Sequence, residues 1–201
     1  MKKLFLAILT VSSIHAASQD DLLSELEDDA EEITFNYPAF KAMKIVNLQS
    51  TKVADQGDFY MYVSHRFGTV RDGISTLFGL DNANTKIQFL YGLWDGVQVG
   101  LARESLRKTY SGSYKMTLTE QSKKFPLNFS FYSTINCNTE LDKEVYPKML
   151  FFDRLSYGTQ LLISRRFTNK FSVEIAPTYV RQNLVLEPFQ KHNQVALGAG
   201  F

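Results

Sequence analysis

The sequence predicts an all-β protein, an antiparallel up-and-down membrane β-barrel of about eight strands. From residue 58 to the end, apolar and polar residues alternate with period two, in runs separated by turn signals. Each predicted strand is about nine to fourteen residues long, which is enough to cross a bilayer when tilted. The connections between them alternate between long and short along the chain, a pattern typical of outer-membrane barrels.

Composition excludes several other classes. With 201 residues, 44% of them hydrophobic and 21% charged, the chain is long and apolar enough to form one folded domain. The net charge of +1 argues against a basic nucleic-acid-binding protein, so we expect no nucleic-acid partner. A single cysteine, Cys137, excludes an internal disulfide framework and a cysteine-cluster metal site.

The N-terminus has the pattern of an export signal. Lys2 and Lys3 precede the apolar stretch Leu4–Val11, which is too short to span a bilayer, and small residues follow at 16–18. This pattern predicts a cleaved signal peptide over residues 1–18; a buried N-terminal helix is the alternative. No apolar run of 18 or more residues follows, so no transmembrane helix is expected.

Residues 19–38 are predicted to be an acidic linker and residues 39–201 the barrel domain. The stretch 20–32 holds eight acidic residues, and like charges at that density resist packing. Without them and the two signal lysines, 20 basic residues face 13 acidic ones, a charge of about +7 that suits anionic membrane head groups. Residues 39–53 alternate poorly, and three structures fit them: a ninth strand, a lumen plug or a periplasmic segment.

Eight strand-like runs follow in order, each with an apolar and a polar face. They cover residues 59–67, 86–93, 97–104, 113–119, 127–135, 155–164, 171–179 and 194–201. Asp95-Gly96 predicts a hairpin turn, because this pair tolerates positive φ, and 168–170 predicts a second. Longer connections are expected at 68–83, 106–112, 138–152 and 182–193. Pro177 lacks a ladder donor and predicts a bulge or a shifted strand boundary.

The two faces favour a membrane over water. One face is almost entirely apolar or aromatic, whereas the other holds mainly small and uncharged polar residues. A soluble barrel would present this polar but charge-poor face to water, which would make the protein poorly soluble. We therefore expect the face to fill a narrow lumen. Six charges are predicted in the lumen: Arg66, Lys86, Glu104, Lys115, Arg166 and Glu174. The residues predicted to face lipid most clearly are Phe129, Phe131, Ile163, Val173 and Ile175.

Two arginines fit this arrangement less well. Arg103 and Arg165 fall on the predicted lipid face, where the cost is about 2–4 kcal/mol at the midplane but roughly 0–1 kcal/mol near strand ends. Both lie near strand ends. For the lumen charges, one pairing among several is Lys115 with Glu174.

No constellation predicts catalysis or a cofactor. Ser64 and His65 are adjacent on a strand, so they point to opposite faces and cannot form a dyad. The acidic and amide residues of the 68–84 region lack the spacing of a calcium loop; they are Asp72, Asp81, Asn82 and Asn84. We therefore predict no catalytic, metal-binding or cofactor-binding residues. The apolar stretch 73–80 is expected to form a short helix at the interface or over the barrel mouth.

Several short motifs resemble those of a known family. Ser64–Gly68 (SHRFG) and Phe78–Asp81 (FGLD) are moderately specific, and weaker matches lie at 40–42, 47–53, 91–92, 99–101 and 108–112. Over about residues 40–201 the chain is similar to an uncharacterised family of bacterial β-barrel proteins, described only as a domain of unknown function. The resemblance implies the outer membrane of Gram-negative bacteria. No activity is established for the family, so no functional residues are carried over.

The function expected from the sequence is a non-enzymatic one. We expect an outer-membrane β-barrel with a structural, adhesive or binding role through its loops. Its partners would be outer-membrane lipids and, during insertion, the barrel-assembly machinery. Three alternatives stay open: a small-solute channel if the chain is part of a larger barrel, a soluble secreted barrel binding an apolar ligand, and a lipid-acting outer-membrane enzyme.

Overall fold

The computed structural model describes residues 38–81, 83–142, 144–185 and 190–201, and these form one large antiparallel sheet. The predicted signal peptide and residues 19–37 of the acidic stretch lie outside the described residues. Ten strands are present: β1 Lys44–Ile45, β2 Leu48–Gln49, β3 Phe59–Arg66, β4 Asn84–Trp94, β5 Val97–Glu104, β6 Thr109–Thr119, β7 Asn128–Cys137, β8 Leu155–Arg166, β9 Ser172–Gln182 and β10 Asn193–Gly200. Strands β3 to β10 pair in sequence order, and β1 pairs with β2 in a small separate hairpin.

Tight turns and longer connections lie at opposite ends of the sheet. At one end β4 and β5 are joined by Asp95-Gly96, where Gly96 has a φ of 72°, and β8 and β9 are joined by 167–171. At the other end lie connections 67–83, 105–108, 138–154 and 183–192, three of which contain short 3₁₀ segments (Val70–Thr76, Leu106–Lys108 and Phe151–Arg154). The predicted alternation of connection lengths is present with two exceptions: the β6–β7 connection, 120–127, lies at the tight-turn end but is not short, and the other is described next.

The connection expected at 106–112 is shorter than predicted. Strand β6 begins at Thr109, because Tyr110 and Ser111 already continue its alternation of outward and inward side chains. The reversal is made by Arg107 and Lys108, which have φ values of 53° and 45°. The short helix expected within 73–80 is a 3₁₀ segment over Val70–Thr76, which overlaps that stretch only at 73–76.

The prediction of a bulge or a shifted strand boundary at Pro177 is wrong. Strand β9 runs unbroken from Ser172 to Gln182, and its register with β8 is the same on both sides of the proline: Gln160 pairs with Thr178 and Ile163 with Ile175. A proline removes one ladder donor but leaves φ within the strand range. The loss is local, so pairing resumes without a bulge.

The sheet curls into a barrel around residues 38–58, which we call the luminal segment. Lys44 lies 5.4 Å from the ring centroid of Tyr62 on β3, whereas the next residue, Ile45, packs against Gly200 on β10. In a flat sheet β3 and β10 would be about 34 Å apart, since neighbouring strands are spaced by about 4.8 Å. Adjacent residues are only about 3.8 Å apart. The two outermost strands therefore approach each other across the luminal segment.

Strands β3 and β10 are the two edges of the sheet. No ladder joins them within the described ranges. Strand β10 is mostly exposed, and its small inward residues pack on the luminal segment: a Cβ at Gly198 would lie 2.5 Å from Leu48 Cδ2. The barrel wall is thus continuous from β3 to β10, with a seam where these two strands meet.

Candidate functional site: the plugged lumen

The barrel is built inside out relative to a water-soluble protein. On the outer face Phe59 and Met61 are 63% and 61% exposed, whereas inward-facing Lys115, Ser130 and Glu174 are fully buried. In water this arrangement would expose large apolar side chains and bury charges, both of which are unfavourable. It suits a barrel whose outer face meets an apolar medium.

The luminal segment fills the centre of the barrel. Among the three alternatives for residues 39–53, the structure places them as a lumen plug and not as a ninth strand of the sheet. Ser50 is fully buried, and Met43 and Ala54 are each 2% exposed. Met43 and Ala54 pack on Leu90 of β4, with Tyr60 and Tyr62 of β3 beside them, so the lumen holds a small apolar core.

Lys115 of β6 is a central anchor of the luminal segment. Its ammonium donates to three backbone carbonyl oxygens, at 3.2 Å to Met43, 3.2 Å to Ser50 and 2.9 Å to Lys52. An ammonium has three donors, and all three have an acceptor here. The side chain thus holds both arms of the β1–β2 hairpin, which is how a fully buried lysine is satisfied.

A second anchor lies on the opposite wall. The Thr51 backbone N–H donates to Glu174 Oε2 of β9 at 2.9 Å, and the Thr51 hydroxyl lies 2.6 Å from that of Ser164 on β8. Ser130 of β7 donates its hydroxyl hydrogen to the Thr51 carbonyl at 2.9 Å. Residue 51 is therefore bonded through its backbone and its side chain to three adjacent strands.

The segment leaves the lumen by a close approach to β4. Gln98 of β5 accepts from the Ala54 N–H at 2.9 Å, and the Gly57 N–H donates to the Gly92 carbonyl at 2.9 Å. A Cβ at Gly92 would lie 2.0 Å from the Asp55 carbonyl oxygen, so only glycine fits at this point of the wall.

The six charges predicted in the lumen lie in three places. Lys115 and Glu174 are in the centre, and they bond the luminal segment instead of forming the direct pair suggested by the sequence. At the long-connection end Lys86 and Glu104 form an ion pair of 3.7 Å, with Arg66 on the neighbouring strand. Arg166 lies at the opposite end, bonded to Thr168 and Asn169 of the β8–β9 turn.

The five residues predicted to face lipid share the outer face of the sheet. The register pairs Phe129 with Ile163 and Ile163 with Ile175, and Phe131 and Val173 have the same parity on their strands. The two outward arginines, Arg103 and Arg165, each lie over an aromatic ring near a strand end, that of Tyr110 at 4.8 Å and that of Phe167 at 4.7 Å.

The residues considered as catalytic or metal-binding candidates do not form a site in the described part of the chain. His65 is exposed near the end of β3, where its Nδ1 lies 3.0 Å from the Thr85 hydroxyl, and both it and Ser64 border the open space at that end of the lumen. Within residues 38–81, 83–142, 144–185 and 190–201, no three His, Cys, Asp or Glu side chains are grouped to hold a metal ion. Asn82, weighed as a calcium ligand, lies outside the described residues. In the described part of the chain, no helix is long and apolar enough to cross a membrane.

Sequence reasoning missed the apolar residues that point inward. Leu90 and Leu162 sit at lumen positions of β4 and β8 and are 2% and 0% exposed. The sequence does show each of them as an apolar residue among the polar residues of its strand's inward face. That pattern indicates burial only once the lumen is known to contain a packed segment.

A family model described as "Membrane bound beta barrel domain (DUF5777)" matches residues 40–201. The chain belongs to this family. The match confirms the predicted resemblance to a β-barrel family of unknown function, and with the eight-stranded antiparallel sheet it confirms the predicted fold class. Membership makes this a membrane-bound barrel, in keeping with its apolar outer face. No curated protein and no solved structure matches the chain.

Proposed function

We propose that this protein is an outer-membrane β-barrel of Gram-negative bacteria that has a structural or binding role at its long-connection end and no enzymatic activity. The observation that carries the proposal is the bonded luminal segment. The centre of the lumen is filled by side chains and a backbone segment, which Lys115 and Glu174 anchor, so it is narrow for an aqueous path. An open pore is therefore disfavoured while the segment is docked.

The N-terminal sequence supports export to the outer membrane. The charged and apolar pattern of residues 1–18 is that of a cleaved signal peptide, and strands of eight to twelve residues suit a spanning barrel. Short turns would then face the periplasm and long connections the outside. In this proposal the outer face contacts outer-membrane lipids, and the barrel-assembly machinery inserts the chain.

The test is envelope fractionation of the expressed full chain, followed by gel migration with and without boiling. We expect outer-membrane recovery and heat-dependent migration, which report a folded membrane barrel. Recovery of a soluble protein without detergent would contradict the proposal and favour the soluble, ligand-binding alternative. Hydrolysis of phospholipid by the purified protein would instead favour the lipid-acting enzyme.

One observation favours a second candidate, a small-solute channel in a wider barrel. The edges β3 and β10 are not paired with each other in the described sheet. Unpaired strand edges are very costly in hydrocarbon, so additional strands at the seam would be stabilising. Planar-bilayer recording separates the candidates, because steady conductance of the wild-type protein supports the channel and its absence supports the plugged barrel.

A further inference from the structure

A polar cavity opens at the long-connection end of the barrel. Its volume is about 460 Å³, within the range of roughly 300–1,000 Å³ typical of small-molecule sites. The β1–β2 hairpin of the luminal segment forms its floor, with Lys44 and Gln49 among the lining residues. Inward side chains of β3, β4, β5, β7, β8 and β9 form its walls. We call this space the mouth cavity.

The charges lining the mouth cavity are unbalanced. Lys44, Arg66 and Lys86 contribute three positive charges, and Glu104 is the one carboxylate among the lining residues. Glu104 lies 3.7 Å from the Lys86 ammonium and accepts from the Asn84 side-chain amide at 2.6 Å. One cation is thus neutralised, and the lining keeps a net charge of +2.

The three cations are held close enough to repel one another. Lys44 rises from the floor, donates to the Gln88 side-chain oxygen and lies over the Tyr62 ring. Burial lowers the pKa of Lys44, and the positive charges of Lys86 and then Arg66 lower it further. The cavity therefore has a positive potential at its floor, which a bound anion would relieve.

The facing wall is polar but uncharged. It is lined by Tyr132, Thr134 and Asn136 of β7, Gln160 of β8 and Thr178 of β9. Gln160 donates to the Thr178 hydroxyl at 3.0 Å, so these groups are already ordered. Hydroxyl and amide groups both donate and accept, which suits the uncharged polar part of a solute.

We infer that the mouth cavity is a binding site for a small oxyanion, a solute bearing a phosphate or carboxylate group. The oxyanion lies against Lys44, Lys86 and Arg66, and the polar remainder of the solute faces the β7–β9 wall. Bidentate contact is available from Arg66, whose planar guanidinium matches both kinds of anion. The inference rests on the proposed function only in requiring a folded barrel with its luminal segment docked.

The test is calorimetric titration of the detergent-solubilised full chain with inorganic phosphate and with citrate at low ionic strength. The double variant Lys44→Gln/Arg66→Gln should bind at least about tenfold more weakly, since nearby charges interact strongly in a partly enclosed site. The matched control is Lys123→Gln/Lys124→Gln, which removes the same charge from the β6–β7 connection at the other end. It should bind as the wild type does.

A third variant reverses the sign of the effect. Glu104→Gln keeps an acceptor for Asn84 but raises the net charge of the lining from +2 to +3, so it should bind both anions severalfold more tightly. Added salt should weaken binding in every variant. Repeating the titration of the wild type and the double variant in nanodiscs of phosphatidylcholine and of phosphatidylglycerol identifies the anion source, because an anionic surface repels anions from both proteins alike. Binding that weakens in phosphatidylglycerol for the wild type alone assigns the site to a lipid head group, and an equal change in both proteins assigns it to a free solute.

The inference is overturned if the wild-type protein shows heat-dependent migration yet binds neither anion. It is also overturned if the control variant loses as much affinity as the double variant, or if Glu104→Gln weakens binding. A protein that never shows heat-dependent migration instead counts against the proposed function. The two failures are therefore distinguishable on the same preparation.

Discussion

Replacing Lys115 by methionine should release the luminal segment from the barrel wall. The side chain keeps most of its length but loses its ammonium, which donates to the carbonyls of Met43, Ser50 and Lys52. Glu174, which bonds the same segment at Thr51, is fully buried in the same lumen. Strands β5, β6 and β7 keep their backbone ladders, so the wall itself should still form.

The size of the effect follows from these contacts. Each hydrogen bond from a charged donor contributes about 1.5–3 kcal/mol, and removing one partner of a buried charged set destabilises by about 3–5 kcal/mol. Taking about 3 kcal/mol for docking of the luminal segment, the undocked fraction should rise by about 150-fold, because each 1.4 kcal/mol is a factor of ten.

The assay is thiol labelling of the docked segment. Ser50 is fully buried, so a Ser50→Cys protein, in a Cys137→Ser background, should react slowly with a polar maleimide. Adding Lys115→Met should accelerate labelling by about a hundredfold, since labelling tracks the undocked population. Planar-bilayer recordings should show openings in the same variant.

The control is Lys170→Met, which removes an exposed lysine from the β8–β9 turn. It should label at the rate of its parent. If Lys115→Met labels no faster than Lys170→Met, then the three carbonyl contacts do not hold the segment, and the reasoning from them is refuted.

Three further changes test the wall and its packing. Phe131→Arg, at a position paired with Leu161 in the middle of β8, should reduce outer-membrane insertion, at about 2–4 kcal/mol for a mid-bilayer arginine, whereas Val145→Arg in the β7–β8 connection should insert normally; equal insertion would mean that residue 131 does not face lipid. Gly92→Ala should lower the unfolding temperature in detergent and speed thiol labelling, because its Cβ would meet the luminal segment's backbone at 2.0 Å, whereas Gly112→Ala meets only an ordinary 3.5 Å contact. Leu90→Ala should destabilise by about 2–5 kcal/mol through the cavity left beside the luminal segment, as measured by denaturant unfolding; an unchanged midpoint would show that this core contributes little.

The spanning strands could be predicted from the sequence because each obeys a simple periodic rule. In β7, Ser130 and Tyr132 point inward while Phe129 and Phe131 point outward, and this alternation was visible without a structure. The Asp95-Gly96 turn was visible for the same reason, since its backbone requirement is local.

From the sequence, the plug is only one of three alternatives for residues 39–53, because its contacts follow no period. Residues 39–53 are held largely through backbone atoms, such as the Thr51 N–H and the Lys52 carbonyl, which leave no trace in side-chain type. Lys115 looked like one lumen charge among six. Its role as a three-carbonyl anchor depends on a segment more than sixty residues earlier in the chain, and no sequence spacing reports such a contact.

The bond between Thr51 and Glu174 joins residues 123 positions apart and has a consequence for how the chain folds. Hairpins such as β4–β5 close over a two-residue turn and can form early. Contacts between distant positions form slowly, because the entropy of loop closure is lost before the contacts contribute any stability. The segment next to the first spanning strand therefore finds its final partners only after β9 has been added to the wall. Assembly intermediates should accordingly pass through a state with a hollow, hydrated interior, and docking of the luminal segment should be the last and slowest kinetic phase.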